Sequence, residues 1–182
     1  MKRFFAPLLL LLVLPLAACD SGGDEGDAPG SIPSSPTDNR VAWRAGGTSY
    51  AAEGDGSNPT AGSATGTYTA NGVGGQGQLS LFATAIRGTT PSTLIITANQ
   101  VSGEGDYPLS LDNGSLVTFV QNEVSGTTVT MTSYIGESGS LSIAEITDTG
   151  MRGSFTFEAT NQDDASDAIS ITQGTFSVAF AQ

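Results

Sequence analysis

Histidine is absent from the 182 residues, cysteine occurs once, and Lys2 is the only lysine. Without His the chain lacks the commonest general base near neutral pH and the commonest imidazole metal ligand. A lone Cys excludes an internal disulfide and any multi-cysteine zinc site. Positive charge is scarce: 6 Lys+Arg stand against 18 Asp+Glu, a formal net charge of −12. Nucleic acid is therefore excluded as a partner, because affinity for phosphate rests on Lys and Arg. The length suggests one domain together with a processed segment.

What is present begins with an address. Lys2 and Arg3 form a positive n-region, and Phe4 to Leu14 form an apolar h-region of signal-peptide length. The run falls short of the roughly 20 apolar residues a membrane-spanning helix needs. Leu16-Ala17-Ala18-Cys19 follows and resembles the bacterial lipobox. That resemblance implies diacylglyceryl transfer to the Cys19 thiol, cleavage of residues 1–18 as a lipoprotein signal peptide, and acylation of the new amino group. Several acyl chains anchor a protein stably where one chain is marginal. An ordinary signal peptide cut at an A-x-A site is the alternative.

Residues 19–39 are rich in Gly, Ser, Pro and Asp and hold one large apolar residue, Ile32. Such a segment buries too little to offset the cost of ordering, and is expected to be a disordered acidic tether behind the lipidated Cys. Asp20, Asp24, Glu25 and Asp27 lie just after Cys19. They resemble the acidic lipoprotein export signal of Bacteroidetes, which implies a lipid-anchored outer-membrane protein facing the cell surface. In enterobacteria an Asp directly after the lipidated Cys favours inner-membrane retention, and a periplasm-facing location is the alternative. Loss of residues 1–18 leaves four Arg against 18 acids, a charge of −14. Five of those acids lie in the tether, so residues 40–182 carry −9. This acidity favours solubility.

From Arg40 the texture changes to short runs of Thr, Val, Ile, Phe and Tyr separated by Gly, Ser, Asn and Asp. Residues 40–182 are read as one antiparallel β domain. In Met151–Ala159, Met151, Gly153, Phe155, Phe157 and Ala159 share one face, the period of a half-buried antiparallel strand. Further strands are expected at Val41–Ala45, Thr48–Ala52, Thr65–Ala70, Gln78–Ile86, Thr93–Ala98, Tyr107–Leu111, Ser115–Gln121, Thr128–Tyr134, Ser140–Ile146 and Ala168–Phe180. Gly46-Gly47 fits a two-residue hairpin turn with positive φ at both positions. In the last segment Ile169 and Ile171 are odd while Phe176, Val178 and Phe180 are even, which predicts a β-bulge near Gln173-Gly174, with a hairpin there as the alternative. About ten strands at regular spacing imply an antiparallel β-sandwich, or alternatively a small antiparallel β-barrel.

The run G-S-L-S-I-A-E-I-T-D-T-G-M-R-G-S-F-T-F-E-A-T, followed by I-S-I-T-Q-G-T-F-S-V-A-F, resembles a domain-of-unknown-function family of Bacteroidetes lipoproteins. Its members carry G-x-F-x-F and I-T-x-G-x-F strands. Trp43-Arg44-Ala45, Gly46-Gly47, Tyr50 and Ala52 resemble the family's first hairpin, with Tyr50 where Trp is frequent. The resemblance spans Trp43 to Phe180 and implies a compact β domain on a lipoprotein tether. It implies no catalytic residues.

Little chemistry remains available. With no Lys or His in the mature chain and Cys19 lipidated, nucleophile–base pairs are missing. A glycosidase needs two carboxyls flanking its substrate, for which Glu53, Glu104, Glu123, Glu137, Glu145 and Glu158 are the candidates. Asp163, Asp164 and Asp167, in the loop Asn161–Asp167, are the weak calcium candidates, with Asp55-Gly56-Ser57-Asn58 a second oxygen-rich loop. Turn chemistry accounts for both loops as well. Among 13 aromatics, Trp43, Tyr50, Tyr68, Tyr107 and Tyr134 would serve sugar stacking if exposed together and core packing if buried. The expectation is a non-enzymatic, cofactor-free envelope protein, anchored to membrane by lipid, with a binding or structural β module. Its partner would be an envelope protein, a glycan or a small ligand. A surface lipoprotein binding a carbohydrate or small apolar molecule is the alternative, and a carboxylate glycosidase the remote one. In cells fed labelled palmitate, the wild-type chain should take up label and partition into detergent. Cys19→Ala should do neither; label in that variant would refute the lipobox reading.

Overall fold

A computed structural model describes residues 30–55, 57, 62–70 and 77–180. The expected signal peptide, with Leu16, Ala17, Ala18 and Cys19, and the acids Asp20, Asp24, Glu25 and Asp27 lie outside the described residues. Ten strands follow one another: β1 Arg40–Ala45, β2 Thr48–Glu53, β3 Ser63–Thr69, β4 Gly77–Arg87, β5 Thr90–Val101, β6 Gly105–Leu109, β7 Leu116–Ser125, β8 Thr128–Ile146, β9 Gly150–Asn161 and β10 Ala168–Ala179. A short 3-10 turn, Leu111–Asn113, holds Leu111, which was expected to end a strand.

All paired strands are antiparallel and join one sheet in the order β2-β1-β10-β9-β8-β7-β5-β4-β3, with β6 added on β8. The sheet curls until its ends approach. Beyond the paired neighbours, β2 packs on β4 and β3 without pairing to either. A single parallel bridge, Gly66 to Phe180, links β3 to the chain's last described residue. The all-β antiparallel reading of about ten strands therefore holds, and the single sheet forms a nearly closed barrel.

The expected alternation is visible along β9, where Met151, Gly153, Phe155, Phe157 and Ala159 are all buried. Gly46 and Gly47 take φ of 53° and 85° and bring Trp43 directly opposite Tyr50. The parity change in β10 is a bulge. Register slips between Ile171 and Gly174, and Gln173 adopts φ 52°, a left-handed conformation disfavoured for a non-glycine residue. Gly174 lies under the Phe155 ring, where an added Cβ would overlap it.

Two expectations are corrected. Thr128–Tyr134 and Ser140–Ile146 are one 19-residue strand, β8. Gly136 and Gly139 do not make a turn between them. They let the strand pass close to its neighbours, since a Cβ on Gly136 would come 2.8 Å from Val117 and one on Gly139 2.5 Å from Phe157. Bulges between Gly136 and Ser138 and between Ile143 and Glu145 bend the strand, so that it pairs with β7 and then with β6 along one side. The second correction concerns the tether, whose last ten residues lie against the domain. Pro33 is buried and its carbonyl accepts from Arg152 Nη1 at 3.0 Å. Ser177 Oγ donates to Ser35 O at 2.6 Å and accepts from Asp38 N at 2.9 Å, and Ala179 N donates to Asn39 Oδ1 at 2.8 Å. Polar side chains of β9 and β10 satisfy this backbone, so it needs little apolar surface to dock.

The interior is filled by side chains. Trp43, Phe119, Phe155, Phe176, Leu79, Leu81 and Met151 are among those fully buried. Phe119 is central: its ring stands edge-on to Trp43 at 6.2 Å and to Tyr50 at 5.5 Å, and stacks on Tyr134 at 6.2 Å. Trp43 and Tyr50 stack at 5.3 Å with planes 8° apart. Rings from β1 and β2 thereby meet rings from β7 and β8 across the barrel. At the closure, a Cβ on Gly66 would collide with Val178. Gly66→Ala should destabilise the fold by about 1–3 kcal/mol through overpacking, and Phe119→Ala by about 3–5 kcal/mol through the cavity left. Thr67→Ala, on the exposed side of the same strand, should stay within about 0.5 kcal/mol. Chemical denaturation of the three variants checks all of these.

Candidate functional site

Strand β5 runs from one end of the barrel to the other, and an open concavity lies at each end of it. At the β4–β5 turn, the concavity has a volume of about 670 Å³ and is lined by Tyr50, Arg87, Thr90, Ser92, Gln121 and Glu123, among others. At the far end, Tyr68, Ser102, Ile146, Asp148 and Phe180 border a space of about 400 Å³. The first lies within the 300–1,000 Å³ range of small-molecule sites and carries the denser polar lining.

The geometry of this mouth follows from strand parity. On β4 and β5 the inward positions are apolar through most of their length, Leu79, Leu81, Leu94 and Ile96 being buried. At the turn the inward positions become Ser92 and Thr90, and on β7 the row that begins with Val117 and Phe119 continues as Gln121 and Glu123. The lining is thus the polar end of the same rows that build the core. The Arg87 guanidinium carbon sits 5.5 Å from the Tyr50 ring centroid, a cation–π distance. Gln121 Nε2 donates to Glu123 Oε1 at 3.4 Å, and Asn122 Nδ2 donates to Pro91 O at 2.7 Å. Tyr50 in turn stacks on the fully buried Trp43, so the floor of the mouth is rigid.

Among these residues only Tyr50 and Glu123 were sequence candidates. Arg87 had no motif to mark it; the one signal was that residues 19–182 hold only four arginines. Two of the others are paired with carboxylates, Arg40 with Glu53 at 3.2 Å and Arg152 with Glu145 at 2.6 Å. Arg44 donates to Gly47 O at 3.0 Å.

The carboxylate candidates are dispersed. Glu53 and Glu145 are held by the arginines just named, and Glu158 accepts from Ser170 Oγ at 2.6 and 2.7 Å. Glu123 lines the mouth, whereas Glu104 and Glu137 are exposed elsewhere. The loop acids are engaged in local turns. Asp164 Oδ1 accepts from Ser166 N at 2.9 Å and Ser166 Oγ at 2.6 Å, bonds that hold its carboxyl below the ordinary aspartate value. Ser57 likewise lowers Asp55. Asp163 N donates to Asn161 Oδ1, and Asp167 Oδ2 accepts from Tyr134 Oη at 3.1 Å and Asn161 Nδ2 at 2.9 Å. Among the described residues no three His, Cys, Asp or Glu side chains come together as a metal-binding group. Of the aromatics, Trp43, Tyr50 and Tyr134 are buried, while Tyr68 and Tyr107 are half-buried. Phe82 is the exposed ring among the described residues, at 43%.

The molecule is thus an all-β protein with a nearly closed ten-stranded sheet and a polar mouth. Comparison with family models, with curated proteins and with solved structures finds no match.

Tyr134 makes a pH-dependent link between the core and the Asn161–Asp167 loop. Burial, and then the hydrogen bond it donates to Asp167, raise its phenol above 10.0. A raised acid favours the protonated form, so its stabilising effect is complete below pH 10 and is lost as the pH climbs through the folded-state value. As the pH rises above 10, denaturant midpoints of the wild type should fall more steeply than those of Tyr134→Phe, in which the titrating group is gone.

Proposed function

We propose that the chain is a lipid-anchored cell-envelope protein whose β domain is a non-catalytic binding module, with the mouth around Arg87 and Tyr50 as its ligand site. The anchor rests on the lipobox sequence ending in Cys19, and an outer-membrane location on the acids that follow it. The ligand reading rests on one observation: the barrel interior is filled with side chains, and the concavity of about 670 Å³ at its end is polar. A carrier of an apolar molecule needs an enclosed apolar cavity. The mouth instead offers a guanidinium, two amides, two hydroxyls and one carboxylate above the buried Tyr50 ring. That set of donors and acceptors suits a carbohydrate, whose hydroxyls pair with amides, guanidinium and carboxylate.

Trp43 reports on the site, being the only Trp and stacked on Tyr50. On a glycan array, the detergent-solubilised lipoprotein should bind a subset of carbohydrates, and those hits should change its tryptophan emission on titration. Arg87→Ala and Gln121→Ala should each weaken binding at least tenfold while leaving the thermal melt within a few degrees of wild type. An array without hits, or hits indifferent to both substitutions, would overturn the carbohydrate reading.

A further inference from the structure

Charge is distributed unevenly over the outside of the barrel. Alternate residues from Ser63 to Thr69, Gln78 to Ile86, Pro91 to Asn99, Leu116 to Val124 and Val129 to Ile135 point outward on β3, β4, β5, β7 and the first part of β8. None of them is Asp, Glu, Lys or Arg. They are Thr, Ser, Asn and Gln interleaved with apolar residues, and the large apolar side chains Phe82, Leu116, Val124, Val129 and Met131 are 43–70% exposed. Cross-strand register groups them: Val124 faces Val129 and Phe82 faces Ile95, which continues to Thr118 and Ile135. The outward positions of the other half hold Arg40, Arg44, Glu53, Arg152 and Glu158. An acidic domain has therefore kept one continuous sheet face free of charge.

We infer that this neutral face is a self-association surface, by which two copies of the chain pack face to face. Size supports a second copy. With strands about 4.8 Å apart and a two-residue repeat of about 6.6 Å, each outward residue covers about 32 Å². The central strands β4, β5 and β7 contribute five such residues each, so a pair of copies buries about 1,000 Å² through them alone, the lower bound of a specific interface. The flanking residues of β3 and β8 extend this toward standard size. Electrostatics support it too, because two bodies of charge −9 meet without opposing carboxylates only through a face that has none. A lipid surface fits less well. Residues 33–39, which lead back toward the N-terminus, dock on β9 and β10, across the barrel from β4 and β5.

Density-matched sedimentation equilibrium of the full lipoprotein in detergent tests this, together with an in-cell photocrosslinker at position 118. We expect a dimer at micromolar concentration that tightens in molar salt, as repulsion between the acidic bodies is screened. Thr118→Glu and Val129→Glu should each weaken the dimer at least tenfold. Thr156→Glu, the same charge on β9 across the barrel, should leave it unchanged. Val129 is 64% exposed, so its substitution leaves folding intact even if Thr118→Glu does not. The crosslink should give a band at twice the monomer mass. A monomer at 100 μM in both salts, equal effects of all three variants, or adducts only with lipid, glycan or another protein would overturn the inference.

Discussion

The contact on which the rest of the fold depends is the set of rings around Phe119. A curled sheet has no second layer of helices or strands to cover it, so its inner face must fill its own interior. Trp43 and Tyr50 come from the first hairpin, Phe119 and Tyr134 from the far side of the sheet order, and their edge-to-face and stacked arrangement spans the space between. Edge-on geometry places the positive rim of one ring on the negative face of another, adding about 0.5–1.5 kcal/mol per pair to the burial itself. The cluster carries a cost: the Trp43 indole N–H is buried and has no hydrogen-bond partner among the described residues. An unmet donor of this kind costs about 1–3 kcal/mol. Smaller side chains would relieve that cost and leave the interior unfilled.

Much of the fold is legible in the sequence because β structure writes itself with period two. The Met151–Ala159 alternation, the Gly46-Gly47 turn and the slipped parity at Gln173-Gly174 each correspond to a distinct backbone feature. The misreading at 128–146 has a definite cause. Gly136 and Gly139 carry the same letters as a turn, yet serve as points where a neighbouring side chain comes too close for a Cβ; sequence does not distinguish these two uses of glycine. The tether misled for a related reason, since residues 33–39 dock through backbone groups that composition does not display. The mouth was the least legible part. Arg87 acquires its setting from Tyr50, 37 positions away, and only the closing of the sheet places one over the other.

The scarcity of positive charge acquires a spatial meaning in the folded chain. Arg40 and Arg152 are committed to glutamates on the half of the barrel where the N-terminal segment docks, and Arg87 marks the rim of the mouth. Three surfaces result: a charged flank, a polar end and a neutral face. Each suits a different contact, and because the three lie on separate parts of the barrel they can be used at once.

The pairing of β1 with β10, in which Arg40 lies opposite Ser177, ties the beginning of the domain to its end. Contacts of such long sequence separation make folding slow, because a large loop must close before they form. It also means that no ribosome- or translocon-bound fragment lacking the last dozen residues can complete the sheet. Until that final strand arrives the chain therefore carries open strand edges, and it resists proteases only once β10 has paired with β1 and β9.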